Sequence, residues 1–233
     1  MKIGLIADIH ANAHALEAVL KSAKEKNVEK LLCCGDYVGY YYEPDIVMDL
    51  LDDWDWDGVS GNHEEMLLDW LNGIKLNEIK MKYGTGISHA AEKLTHEKAA
   101  HLYEMPKITK LNIDNYKIVL CHGSPWDRDV YIYPDADKQN VDKMFNHNAD
   151  FDLMVYGHTH YPVKWVRNNK IIINPGSLGQ PRDRKQGACW ALWDTARNSV
   201  EFFRVEYDFL PVIEMCKKYD PELNYLVDVL VRT

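Results

Sequence analysis

Five apolar stretches of this chain end in residues that can hold a cation or move a proton. The first ends Asp8-Ile9-His10, the second Gly35-Asp36-Tyr37-Val38-Gly39 and the third Gly61-Asn62-His63-Glu64. The fourth ends Cys121-His122-Gly123 and the fifth Gly157-His158-Thr159-His160. Residues i and i+2 of an extended backbone face the same side, so Asp8 with His10, and His158 with His160, can each present two donors to one place. Singly, each motif has an ordinary explanation. Asp8 can cap a helix, Asp36 can sit in a turn, Asn62 can form an Asx turn, and the histidines can face solvent or bond locally. One shared site explains all five at once.

That site would offer about eight oxygen and nitrogen donors and no thiolate. Such a set suits divalent transition ions better than Ca²⁺, which prefers oxygen alone, or a structural zinc, which recruits cysteine. Eight donors exceed what one tetrahedral ion takes and fit two ions that share a bridge, for which Asp36 is the candidate. Strand ends are also where α/β sheets bind ligands, and neighbouring glycines let the backbone turn sharply there.

The elements that must position these residues alternate strand and helix through the first two-thirds of the chain. Strands are expected over 2–8, 30–34 and 58–60, with helices over 11–26 and about 44–51. Residues 64–105 carry helical patterning and end at Met105-Pro106, where proline stops the last helix. They form a helical insert or lid within a single domain spanning 1–233. Paired strands follow over 108–114 and 116–122, then a helix over about 137–148 and the strand leading to Gly157. Hairpins over 163–167 and 170–174, and over 188–194 and 199–206, precede a helix near 210–217 and a polar tail. The pattern predicts an α/β domain with a mixed sheet or two packed sheets.

Composition narrows the function. The chain has 233 residues and a formal charge of −9, so it lacks the basic surface that holds long nucleic acid. Five cysteines without a C-x-x-C pair argue against a disulfide or zinc-knuckle scaffold and for a reducing, cytoplasmic setting. The apolar start is cut short by Asp8 and His10, far below the length of a signal peptide or membrane span. No membrane association and no protein partner are expected.

The order and spacing of Asp8-x-His10, Gly35-Asp36-x-x-Gly39, Gly61-Asn62-His63-Glu64, His122 and Gly157-His158-x-His160 resemble the calcineurin-like metallophosphoesterase superfamily. Asn174-Pro175-Gly176-Ser177 is similar to a further motif of its small bacterial and archaeal phosphodiesterase branch. The resemblance implies two packed mixed β-sheets flanked by helices, an αββα sandwich, around a dinuclear metal centre. Carried over by position, Asp8, His10 and His160 hold one ion, Asn62, His122 and His158 hold the other, and Asp36 bridges. The ions would be manganese foremost, with iron, zinc, nickel or cobalt as alternatives.

The implied reaction is attack of metal-bound hydroxide on phosphorus, with His63 giving a proton to the leaving oxygen. The substrate would be a small phosphodiester or nucleotide-like polyphosphate. A phosphomonoesterase, including a phosphoprotein phosphatase, is the alternative, and a non-catalytic metal-binding scaffold is a third reading. Arg182 and Arg184 are the candidates to bind substrate phosphate, because guanidinium matches phosphate geometry. Aromatics at Tyr40, Tyr41, Tyr42, Trp126, Tyr131 and Tyr133 flank the motif loops and either stack on a base or pack those loops down. The chain departs from the usual family pattern at Ala11 and at Tyr40-Tyr41-Tyr42, where the substrate rim would lie.

Overall fold

The computed structural model describes residues 1–147 and 150–232. Among them, two five-stranded mixed sheets pack face to face with helices outside. The first sheet is built from β1 (Lys2–Ile6), β2 (Lys30–Cys33), β3 (Trp56–Gly58), β9 (Ala188–Asp194) and β10 (Ser199–Val205), in the order β10-β9-β1-β2-β3. The second holds β4 (Ile108–Ile113), β5 (Tyr116–Cys121), β6 (Leu153–Val155), β7 (Pro162–Arg167) and β8 (Lys170–Pro175), in the order β4-β5-β6-β8-β7.

Period-two alternation builds both faces of the first sheet. Ile3, Leu5 and Ala7 enter the layer between the sheets, where they meet Ile118, Leu120, Val155 and Ile173. Ile6 faces the other way, toward α1 (Ala13–Glu25) and α2 (Pro44–Asp52). The α1 helix starts where Asn12 Oδ1 accepts the Ala15 N–H at 3.1 Å, satisfying a donor that helix geometry leaves unpaired. On the far side, Met144 and Phe145 of α7 (Lys138–Asn146) cover the outer face of β5, β6 and β8.

Residues of the expected insert form α3 (Asn62–Leu71), α4 (Leu76–Tyr83), α5 (Gly86–Lys93) and α6 (His96–Glu104). Leu67, Ile79, Ile87, Ala90, Ala99 and Leu102 from these helices share one apolar core with Ile6, Leu16 and Trp190.

Three expectations move. The third strand runs two residues earlier than 58–60, because Leu31 pairs with Trp56 in parallel and Lys30 Nζ holds Asp55 and Asp57 at 2.7 and 2.9 Å. The acidic stretch 52–57 is thus part helix end and part edge strand. The polar tail is instead a helix, α9 (Tyr225–Val231), following α8 (Leu210–Tyr219). Its Leu226, Val229 and Leu230 lie at helical spacing and bury against Tyr40, Tyr41 and Tyr42. The helix expected over 137–148 spans Lys138–Asn146, and position 148 lies outside the described residues.

All five cysteines are free and buried. No described helix is long and apolar enough to cross a membrane.

Candidate metal centre

The parallel pairs β1–β2, β2–β3, β5–β6 and β6–β8 align the carboxyl ends of their strands on one edge of the sandwich. Backbone bonds then lock the loops together: Asp8 N–H to Gly35 O at 3.1 Å, His10 N–H to Asp36 O at 2.9 Å, and Gly157 N–H to His122 O at 2.7 Å. Asp8, His10, Asp36, Asn62, His122, His158 and His160 are all buried at this edge.

Two groups of donors emerge, and Asp36 belongs to both. Asp8, His10, Asp36 and His160 form one group, and Asp36, His122 and His158 form the other. In the first, the Nε2 atoms of His10 and His160 face each other at 3.2 Å, with His160 Nε2 3.8 Å from Asp8 Oδ1 and His10 Nε2 3.7 Å from Asp36 Oδ2. In the second, His122 Nε2 lies 3.2 Å from Asp36 Oδ2 and 3.1 Å from His158 Nδ1. Asn62 joins it through Oδ1, 3.0 Å from His122 Nε2.

The far nitrogen of every clustered imidazole donates to a backbone carbonyl. His10 Nδ1 meets Val38 O at 3.2 Å, His122 Nδ1 meets Cys34 O at 2.6 Å and His160 Nδ1 meets Gln180 O at 2.6 Å. His158 is reversed, with Nε2 donating to Asp129 O at 3.0 Å. A carbonyl can only accept, so each ring, when neutral, is held in the tautomer that turns its lone pair inward. Inward lone pairs and a buried Asp8 Oδ2 without a partner among the described residues form a donor set that fits divalent ions.

The backbone is strained at the same places. Asp8, His10, Asp36, His158 and His160 have φ of 55°, 52°, 57°, 68° and 63°, a region non-glycine residues occupy at a cost of about 1–3 kcal/mol each. Such conformations persist where the surroundings over-determine them, and here they aim five donors at one volume.

Electrostatics couple the groups. Burial would raise Asp36, but His122 and His63 hold it well below the usual carboxylate range. Burial, together with the Asp36 charge, raises Asp8 to about 7 even though His122 pulls the other way. Burial opposes charge on His122, yet Asp36 and Asp8 outweigh it and lift the imidazole to about 9. Burial lowers His158 to about 3 and His63 to about 4, and it pushes His10 and His160 well below the ordinary range.

His63 stands beside the cluster. Its Nε2 is 4.0 Å from Asp36 Oδ2 and its Nδ1 has no partner among the described residues. Gly39 makes room for the ring, since a Cβ there would lie 2.0 Å from His63 Nδ1. Arg182 is half-buried and donates to Tyr40 Oη at 2.9 Å and to Gln180 Oε1 at 3.0 Å. Its charge bears on Asp8, His10 and His160. Arg184 is exposed and makes no hydrogen bond or ion pair with the cluster among the described residues. A cleft of about 290 Å³ lined by Asn62, Lys82, Tyr83 and Asp129 opens next to the centre.

Some residues that build the site carried no assigned role in the sequence reading. Glu64 is buried and accepts from Asp36 N, Gly61 N, Tyr37 N and Val38 N at 2.9, 2.7, 2.8 and 3.3 Å. Its signal was the acidic residue three positions after Gly61, where a helix-start carboxylate reaches back to its own cap. Asn174 Nδ2 bonds Gly157 O and Thr159 Oγ1 at 2.7 and 3.0 Å, and Ser177 Oγ bonds Asp8 O at 2.8 Å. The 174–177 motif therefore straps the His158 turn to the Asp8 loop. The carbonyls of Asp129 and Gln180 carry no sequence signal, because every residue has one.

Residues 1–198 match the family described as the calcineurin-like phosphoesterase superfamily domain. An uncharacterized protein of Methanocaldococcus jannaschii, MJ0912, is 32% identical over 93% of this chain and 92% of its own length. The phosphodiesterase MJ0936 of the same organism is 22% identical over 76% of this chain and 83% of its own. A metallophosphoesterase from Sphaerobacter thermophilus superposes with a TM-score of 0.78 at 27% identity, covering 100% of this chain and 99% of that one. The superposed fold and the family match over most of the length agree: the chain belongs to the calcineurin-like phosphoesterase superfamily.

Proposed function

We propose that this chain is a dinuclear-metal-dependent hydrolase of small phosphodiesters or nucleotide-like polyphosphates. The observation that carries the reading is Asp36, which two separate donor groups share. Asp8, His10 and His160 with Asp36 would hold one divalent ion, and Asn62, His122 and His158 with Asp36 the other, manganese being the first candidate. Ions held there neutralise phosphoryl oxygens and make a nucleophile available from water near neutral pH.

The chain's own groups do the rest. Arg182, half-buried and without a carboxylate partner among the described residues, orients one phosphate oxygen through its planar donor fork. His63 serves the leaving oxygen. Burial leaves its ring neutral at pH 7, and the negative charge of a bound phosphate raises its hold on a proton, turning it into the donor. A diester is favoured over a monoester because, among the described residues, Arg182 is the one arginine whose charge bears on the cluster, with Lys82 reaching His63 from the cleft, while the second ionisation of a monoester calls for more positive charge. The MJ0936 relative, named a phosphodiesterase, supports the same preference. Helices α3–α6 act in this reading as scaffold more than lid, since they share the main core.

Initial rates on a chromogenic phosphodiester and a phosphomonoester, after chelation and again with Mn²⁺ restored, test the proposal. Metal-restored activity favouring the diester, with an Asp36→Asn variant inactive and short of bound metal, is the expected result. Preference for the monoester would replace the diesterase reading with a phosphatase. Inactivity on both with the metal sites filled would leave a binding scaffold.

A further inference from the structure

Beyond the metal centre, the 123–137 loop holds two tyrosines with much of each ring open to solvent. Tyr131 and Tyr133 lie parallel within 11°, ring centroids 5.6 Å apart, and stay 49% and 39% exposed. Tyr41 and Tyr42, in the neighbouring motif loop, are by contrast fully buried. Ile132 between the pair is buried, and its carbonyl accepts the Tyr156 hydroxyl at 3.0 Å. Residues i and i+2 therefore share the open face while residue i+1 anchors the strip.

The anchoring is to the ligand turn itself. Tyr131 packs on the His158 ring at 4.1 Å between centroids, and Tyr133 meets Tyr161 edge-on at 5.7 Å. Both rings are thus held against the turn that carries His158 and His160. A phosphate between the cluster and Arg182 would place its esterified group next to Tyr131, whose ring stands against His158 and feels the Arg182 charge. A flat, half-exposed aromatic surface in that position has the form of a stacking platform, which is sequence-tolerant because every base has a π-face.

We propose that Tyr131 and Tyr133 form a nucleobase platform, so that the site takes nucleoside phosphoesters. This rests on the phosphoesterase reading and deepens it by naming the substrate class. The loop tyrosines set affinity for the base, while the metal centre and Arg182 handle the phosphate.

Binding of AMP and of methyl phosphate to the Mn²⁺-loaded protein, by isothermal titration calorimetry, separates the two contributions. Wild type is expected to bind AMP roughly 5- to 150-fold more tightly than methyl phosphate, the range of one base stacked on an aromatic ring. Tyr133→Ala removes most of that preference, Tyr133→Phe keeps it, and methyl phosphate binding changes by less than about 2-fold in either. Tyr131→Phe also keeps the preference, which checks that the His158 contact is undisturbed. Equal affinities for the two probes in wild type, or a preference that survives Tyr133→Ala together with Tyr131→Ala, would overturn the platform. Failure of the phosphoesterase reading is distinguishable, because it would appear as absent turnover with the AMP preference intact.

Discussion

His10 and His160 bring their Nε2 atoms to 3.2 Å across 150 positions of sequence, each ring fixed from behind by a carbonyl on its Nδ1. Two nitrogens cannot hydrogen-bond through two lone pairs, so the pair makes chemical sense with a cation between them. The fixed tautomers, the left-handed backbone at both residues and the shared Asp36 all aim at the same volume.

Metal removal should therefore loosen the fold as well as stop catalysis. A ligand at 100 times its dissociation constant stabilises the native state by about 2.7 kcal/mol. For a chain of this size that corresponds to a rise in Tm of roughly 5–10 °C. Thermal melts of chelated and Mn²⁺-restored protein measure it, and identical melting temperatures would mean that no ion binds the native state.

His63→Ala separates proton donation from metal binding. Two ions per chain should remain, as counted by elemental analysis. The kcat for an ester with an alkyl leaving group should fall about 10²- to 10⁴-fold. The loss should be smaller with p-nitrophenolate, whose oxygen needs little help to leave. An equal loss on both substrates would assign His63 to positioning instead.

Gly39→Ala tests the close approach of the Tyr40 loop to His63. The new methyl would stand 2.0 Å from His63 Nδ1, on a backbone with φ of 86°. Destabilisation of about 2–5 kcal/mol is expected from strain and overpacking together. Gly73→Ala is the control, because its φ of 73° carries the strain while nothing lies within 4 Å of the added carbon. That change should cost about 1–2 kcal/mol. Urea unfolding gives both values, and equal losses would show that the His63 contact relaxes freely.

Glu64→Gln keeps the volume and removes one acceptor oxygen from four buried N–H donors. A loss of about 2–4 kcal/mol follows from stranding the two donors that bond the lost oxygen. Metal affinity should drop about 10- to 100-fold, the usual effect of disturbing groups behind the ligands. Unchanged unfolding and unchanged metal titration would show that the Asp36 loop holds its shape without the carboxylate.

Much of this site was legible in the sequence, because it is made of local pieces. Asp8-x-His10 and His158-x-His160 follow strands whose apolar runs mark their own ends, and the donor types by themselves point to metal chemistry. Element ends are legible for the same reason, except at β3, where the cross-strand hold of Lys30 on Asp55 and Asp57 overrides the local pattern. The C-terminal helix α9 is hidden in the sequence because its apolar stripe packs on distant residues such as Tyr41, 185 positions away along the chain, whose hydroxyl donates to Leu226 O. Arg182 and Arg184 looked equivalent in sequence, two residues apart in a loop. Only the tertiary structure buried one against Tyr40 and left the other in solvent. Carbonyls such as Val38 O and Gln180 O, which set the imidazole tautomers, belong to backbone common to every residue. Side-chain type therefore declares what chemistry a chain can do, while long-range packing decides which atoms meet and from which side.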